Sequence, residues 1–201
     1  MVEILVIEIV LQNRSSIFQR SIILPTVARR KHLKESKYFE CVCKRCSDST
    51  ENGTNFSTIL CARCTSTDKP GLVMSTNPLD FEAEWKCNAC GATTRGSEVE
   101  ELVDVLEKEV SSLPTTKDAY EASLAKYSRI LHPNHHVMID LEFTLVQLYG
   151  REKASQKMAE DPKAQEQAMV RDARRKLELC EKVLSVISKL MPGELFFLKR
   201  G

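Results

Sequence analysis

At 201 residues, with 29 basic and 28 acidic side chains, the chain is long enough for one large or two small cored domains. Its near-zero net charge argues against a protein whose main task is coating nucleic acid, which carries a basic excess. The local excess of Arg29, Arg30, Lys31, Lys34, Lys37, Lys44 and Arg45 over Glu35, Glu40 and Asp48 reads as a solvated helix face.

The opening MVEILVIEIVL is broken by Glu3 and Glu8 and lacks a basic start and a small-residue cleavage site, so it does not read as a signal peptide. Its 11 residues fall short of the about 20 needed to span a bilayer. It reads instead as a buried strand, or as an accidental start on a chain once longer. No other stretch reaches membrane length. Clustered cysteines are then expected as reduced thiols open to metal, in an intracellular protein, cytoplasmic or nuclear.

Up to residue 96, turn signals such as TENGT, DKPG and TNP dominate. Within this half lie seven of the eight cysteines, as CVCKRC (41–46), CARC (61–64) and CNAC (87–90). Zinc takes four ligands in a tetrahedron, and thiolates two residues apart reach one ion from a tight turn. Cys61, Cys64, Cys87 and Cys90 supply two such turns, 22 residues apart. Gly91 suits the turn after the second thiolate, while Trp85 and Gly71-Leu72-Val73-Met74 can cover the site. A second partition pairs Cys43 and Cys46 with Cys61 and Cys64, and spacing alone leaves both open. Either way seven sulfurs are one short of two sites, and His32, considered as an eighth ligand, reads as solvated. Quartets of sulfur leave no vacancy for water, so the chemistry is structural. His132, His135 and His136 surround a proline and a helix start, and adjacent histidines cannot both face one ion.

From Ser97 the period changes to that of helices. SEVE (97–100) reads as a capping box, followed by a stripe of Val99, Leu102, Val103, Leu106 and Val110 ending near Pro114. A second helix follows Thr115 or Thr116, carrying Tyr120, Leu124, Tyr127 and Leu131 and stopping near His132-Pro133-Asn134. Asn134 is expected to cap a third, with Met138, Leu141, Leu145 and Leu148 before Gly150. The last begins at Asp161-Pro162, with Leu177, Cys180, Leu184, Ile187 and Met191, and ends at Pro192-Gly193. Cys180 reads as a small buried hydrophobe. The expected fold is mostly α with a small irregular zinc-stabilised N-terminal module.

RRKHLKESKYFECVCKRCSDSTENGT resembles the post-SET segment of the SET and MYND domain family of protein-lysine methyltransferases, particularly its arthropod branch. There a basic helix leads into F-x-C-x-C-x2-C and an acidic D-x-T-E-x-G-T turn. The CARC and CNAC pair matches that branch's zinc-ribbon insertion. ILHPNHHVM, LVQLYGR and RKLELCEKVLSVISKLMPGEL match its C-terminal helices, which are similar to tetratricopeptide stacks. The resemblance spans roughly residues 24–198. It implies an unassigned segment 1–23, a post-SET-like zinc module over 24–96 and a tetratricopeptide-like helical domain over 97–201.

It also implies that Cys41, Cys43 and Cys46 bind zinc with a fourth cysteine from the SET core, near an N-H-S-C-x-P-N string that does not occur here. Phe39 is implied as a wall of the S-adenosylmethionine pocket. The family's catalytic tyrosine falls at Gln19, and no tyrosine precedes Tyr38. Lysine methylation needs a tyrosine-lined channel that orients the amine. The chain alone is therefore expected to be inactive: the C-terminal part of such an enzyme, or a non-catalytic zinc-stabilised interaction module. S-adenosylmethionine would bind only a full-length member. The implied partners are proteins: a histone or non-histone substrate, or an adaptor peptide.

Overall fold

A computed structural model describes residues 24–64, 70–151 and 162–191. The reading of MVEILVIEIVL as a strand, the Asp161 cap and the Pro192-Gly193 stop lie outside those residues. Helix α1 (Thr26–Lys37) leads in. A small four-stranded antiparallel sheet follows, formed by β1 (Ile59–Leu60), β2 (Leu72–Ser75), β3 (Trp85–Cys87) and β4 (Thr93–Thr94) in that order. Four helices complete the described fold: α2 (Gly96–Ser111), α3 (Lys117–Tyr127), α4 (His136–Arg151) and α5 (Pro162–Leu190). The chain is thus mostly helical, with a cysteine-bearing sheet inserted ahead of the helices. Among the described residues no helix is long and apolar enough to cross a membrane.

The helices form where the apolar periodicity places them, with shifted ends. In α2 the cap falls two residues before Ser97. Glu98, not Glu100, accepts from the Arg95 backbone N–H at 3.3 Å and from the Thr94 hydroxyl at 2.6 Å. Gly96, the first helical residue, packs so closely that a Cβ on it would lie 2.9 Å from the Ala83 carbonyl and 3.3 Å from that of Phe81. Thr116 caps α3 through the Ala119 N–H, but α3 ends at Tyr127. Leu131 leaves the helix to form a bridge with Ile59. His135, not Asn134, serves the start of α4: its Nδ1 accepts from the Val137 N–H at 3.2 Å. Asn134 is drawn away to donate to the Thr54 carbonyl at 3.1 Å. On α5 the buried stripe is Leu179, Cys180, Val183, Val186, Ile187 and Leu190, while Leu177 is exposed.

α4 is the central helix, packed between α3 and α5. Met138, Leu141, Leu145 and Leu148 are all buried on it. One apolar cluster runs without a break from Val73, Trp85 and the cysteines of the sheet through Val99 and Leu106 to Tyr127, Leu131, Leu141 and Cys180. The stitch between the two halves is the His132–His136 loop. Leu60 N–H donates to the Ile130 carbonyl at 2.7 Å, His132 N–H to Thr58 at 3.2 Å and His136 N–H to Phe56 at 2.8 Å. A second cluster joins Phe56 to Ile139, Phe143 and the end of α5.

The acidic turn after CVCKRC is tightly built. Glu51, Asn52 and Gly53 all have positive φ, a run that L-residues avoid. Asp48 accepts from the Thr50 and Asn52 N–H groups, and buried Glu51 pairs with buried Arg45 at 3.1 Å. Such a pair holds the strained residue in place because every charge in it is partnered.

Candidate metal centres

Each C-x2-C pair sits where a strand ends. Cys61 leaves β1 and enters a 3-10 turn over Ala62–Cys64, with Cys64 N–H donating to the Cys61 carbonyl at 3.1 Å. Cys87 closes β3, and Gly91 N–H turns back to the Cys87 carbonyl at 3.1 Å with φ at +72°. Register between β2 and β3 pairs Val73 with Cys87, while Cys61 N–H donates to the Gly71 carbonyl at 2.8 Å. Sheet pairing therefore brings the two turns face to face.

The four sulfurs all lie within 4.8 Å of one another. Cys61 and Cys90 stand 3.7 Å apart, and Cys64 and Cys87 3.9 Å. Zinc–sulfur bonds of about 2.3 Å in a tetrahedron put sulfurs about 3.8 Å apart. The donor set and its spacing thus fit a zinc ion without rearrangement. Trp85 and Val73 are buried beside it, as expected of its cover. Backbone N–H groups favour thiolate here: hydrogen bonding from the Cys90 backbone, ahead of opposing burial, brings the Cys87 thiol down to about 6. Hydrogen bonding to Cys90, reinforced by burial, pushes Cys64 up to about 12. Protons in the metal-free quartet are therefore shared unequally.

Cys41, Cys43 and Cys46 form a separate group, also within 4.8 Å. The structure brings Cys43 and Cys46 to Cys41, not to Cys61 and Cys64. Cys41 and Cys46 are buried with Leu33, and Cys43 is exposed. His32 lies outside the group; its Nε2 is 3.5 Å from Ser36 Oγ on the same helix. Arg29 lies against the trio instead, its Nη1 donating to Cys41 Sγ at 3.2 Å and Cys46 Sγ at 2.9 Å. Burial raises the Cys41 thiol, but the Arg29 contact and the Cys43 backbone outweigh it and hold it at about 7. Burial pushes Cys46 up to about 12 against the same cation.

Arg30 is buried too. It donates to the Cys41 carbonyl at 3.1 Å and to Leu79 at 2.7 Å, and lies over the Phe81 ring. The solvated face expected of the basic run therefore holds for Lys31, Lys34 and Lys37 but not for Arg29, Arg30 or Arg45. Sequence reasoning missed the roles of Arg29 and Arg30, and took Gly71 only as cover, where it makes room for the Cys87 and Cys64 sulfurs. An Arg-Arg pair ahead of a cysteine cluster was the available signal for the first two.

Phe39 follows Tyr38, which ends α1 in the left-handed region at φ 56°, and is 49% exposed. Its neighbours Tyr38 and Val42 are exposed as well, and none of the three belongs to the core. The histidines of the HPNHH loop do not form a metal group among the described residues. His135 is fully buried and stacks on His136 at 4.2 Å.

Comparison with known proteins gives a partial match. The chain is 37% identical over 67 residues to the SET domain-containing protein SmydA-8, isoform B, of Drosophila melanogaster, which covers 32% of this chain. Isoform A is 35% identical over 71 residues, covering 34% of it. The match spans 14% of the length of each relative. No protein-family model matches the chain, and no solved structure matches it.

Proposed function

We propose that this chain is the post-SET zinc module and helical C-terminal part of a SET and MYND domain protein. In this reading the Cys61/Cys64/Cys87/Cys90 quartet holds a structural zinc and α2 to α5 form a tetratricopeptide-like stack. The observation that carries it is the 37% identity over 67 residues to a SET domain-containing protein, in a chain whose cysteines gather into a zinc-sized quartet.

Zinc would supply only cross-linking here, since four thiolates leave it no open position. The residues do the rest. Gly71 admits the sulfurs, Arg30 fixes the Cys41 backbone against the loop after β2, and Phe39 waits as one wall of a pocket for S-adenosylmethionine. A single wall does not bind the cofactor, so the chain alone transfers no methyl group. The partner is a protein, a histone or non-histone substrate or an adaptor peptide, and the setting is the cytoplasm or nucleus.

A second reading, a non-catalytic interaction module, is favoured by the groove between α1, α2 and α4. It is lined by Pro25, Phe56, Val110, Val137 and Phe143, together with Glu107 and Asp140.

Calorimetry with S-adenosylmethionine, run beside metal analysis, tests the first reading. One firmly held zinc and no cofactor binding are expected. Micromolar cofactor binding would show that the pocket is complete and the reading wrong. Fusing the chain to the SET core of the fly relative separates the two readings, because only the first expects methyl transfer to appear.

A further inference from the structure

The four sulfurs of the quartet are not equally protected. Cys61, Cys64 and Cys87 are buried, whereas Cys90 is exposed. It follows Asn88 and Ala89, both exposed, and precedes Gly91 at φ +72°, so it sits on the outer turn of the site. That turn borders a surface depression lined by Ser49, Ser75, Thr76, Lys86 and Asn88, whose hydrogen-bond donors suit a small polar molecule. The Cys61 sulfur lies 3.7 Å from that of Cys90. Cys64 and Cys87 pair with each other at 3.9 Å and are wedged beneath Gly71, on which a Cβ would lie 2.9 and 2.5 Å from their sulfurs.

We propose that Cys90 is an oxidation site for hydroperoxides, and that its reaction exchanges the zinc staple of the quartet for a Cys61–Cys90 disulfide. A thiol that ligates a metal is deprotonated, and the thiolate is the reactive form. The Cys90 sulfur attacks one peroxide oxygen and the O–O bond breaks. Hydroxide leaves and is protonated by solvent, and Cys90 becomes a sulfenic acid. The Cys61 thiolate then attacks that sulfur, forming the S–S bond and expelling a second hydroxide. The two sulfurs together lose two electrons, and the single peroxide gains them. Cys64 and Cys87 remain, only half of the four ligands that zinc takes, so the ion is released. The two turns stay joined, because the new bond spans the same gap between the end of β1 and the turn after β3. A dithiol reductant reverses the exchange. The inference rests on the quartet holding zinc, which metal analysis tests before any oxidant is added.

The experiment treats the zinc-loaded full chain with a small excess of hydrogen peroxide. Zinc release is followed with a chromophoric chelator, and disulfides are mapped by peptide mass spectrometry. One zinc per chain should be released with a Cys61–Cys90 linkage, and a dithiol with added zinc should restore the starting state. Cys90→His keeps a zinc-binding side chain without an oxidisable sulfur, and should retain zinc under the same dose. Where that variant fails to fold, the linkage map of the wild-type chain decides. Cys43→Ser removes the exposed thiol of the other cluster and should release zinc as the wild type does. A chain with no zinc before peroxide fails the quartet reading and this proposal together. Zinc bound but kept under peroxide, a disulfide within either C-x2-C pair, or release that reductant does not reverse overturns this proposal alone.

Discussion

Gly71 stands against Cys87 so closely that a Cβ placed on it would lie 2.5 Å from the Cys87 sulfur and 2.9 Å from that of Cys64. No torsional demand explains this glycine; the sulfurs need the space. Gly71→Ala should cost about 1–3 kcal/mol, the usual range for overpacking a closed site. It should also weaken zinc retention against a chromophoric chelator. Urea unfolding and the competition assay read both, and an alanine variant as stable and as metal-retentive as the wild type would refute the close approach.

Continuity of the apolar cluster from Cys61, Cys64 and Cys87 to Tyr127, Leu131 and Leu141 makes the metal a matter for the helices. Structural zinc contributes folding free energy outright. Stripping it with a chelator, or replacing Cys61 by Ser, should therefore lower the melting temperature of the helical circular-dichroism signal by more than about 10 °C. Helices that melt unchanged would mean the sheet and the helices are energetically separate.

Much of this architecture was legible in the residues, and the exceptions share a cause. Periodicity found α2 to α5 because burial of one face repeats every three or four residues, as Met138, Leu141, Leu145 and Leu148 show. Helix ends were misplaced because tertiary partners compete for the same groups. Asn134 is spent on Thr54, so His135 caps α4, and Leu131 is spent on Ile59, so α3 stops early. The C-x2-C spacing pointed to a metal, but only the β2–β3 register pairs the turns as 61/64 with 87/90. Arg29 and Arg30 looked solvated because charge patterning cannot see that a cysteine trio and a set of carbonyls face them.

The paired histidines give a pH prediction. Burial pushes the His136 imidazole down to about 4, and burial with His136 and His132 nearby holds His135 well below its ordinary value. Glu107 lies 3.5 Å from His136 Nδ1, yet burial, with Asp104 and Asp140 near, raises its own carboxyl. At neutral pH the His136 imidazole is accordingly neutral. Both histidines have folded values below the unfolded one of about 6.5, so the unfolded chain binds more protons between them. Their contribution to stability is full above about 6.5 and is lost as pH falls toward about 4. Imidazole C2-proton shifts of His135 and His136 should stay flat from pH 7.5 to 5. A midpoint near 6.5 in either would show that the loop is open to water.

Cys180 is the cysteine that stands apart from both clusters. It is fully buried on α5 within the core that holds Tyr127, Leu141 and Leu145, where a thiol packs as a small apolar group. A sulfur in that setting neither ligates nor reacts, so a disulfide reagent should leave it untouched in the native chain and modify it only on unfolding. Cys180→Ala should lower stability by about 1–2 kcal/mol through the small cavity it leaves, with zinc stoichiometry unchanged. The two readouts are independent. Loss of zinc in this variant would tie Cys180 to a site, and rapid native labelling would mean that the α4–α5 seam opens.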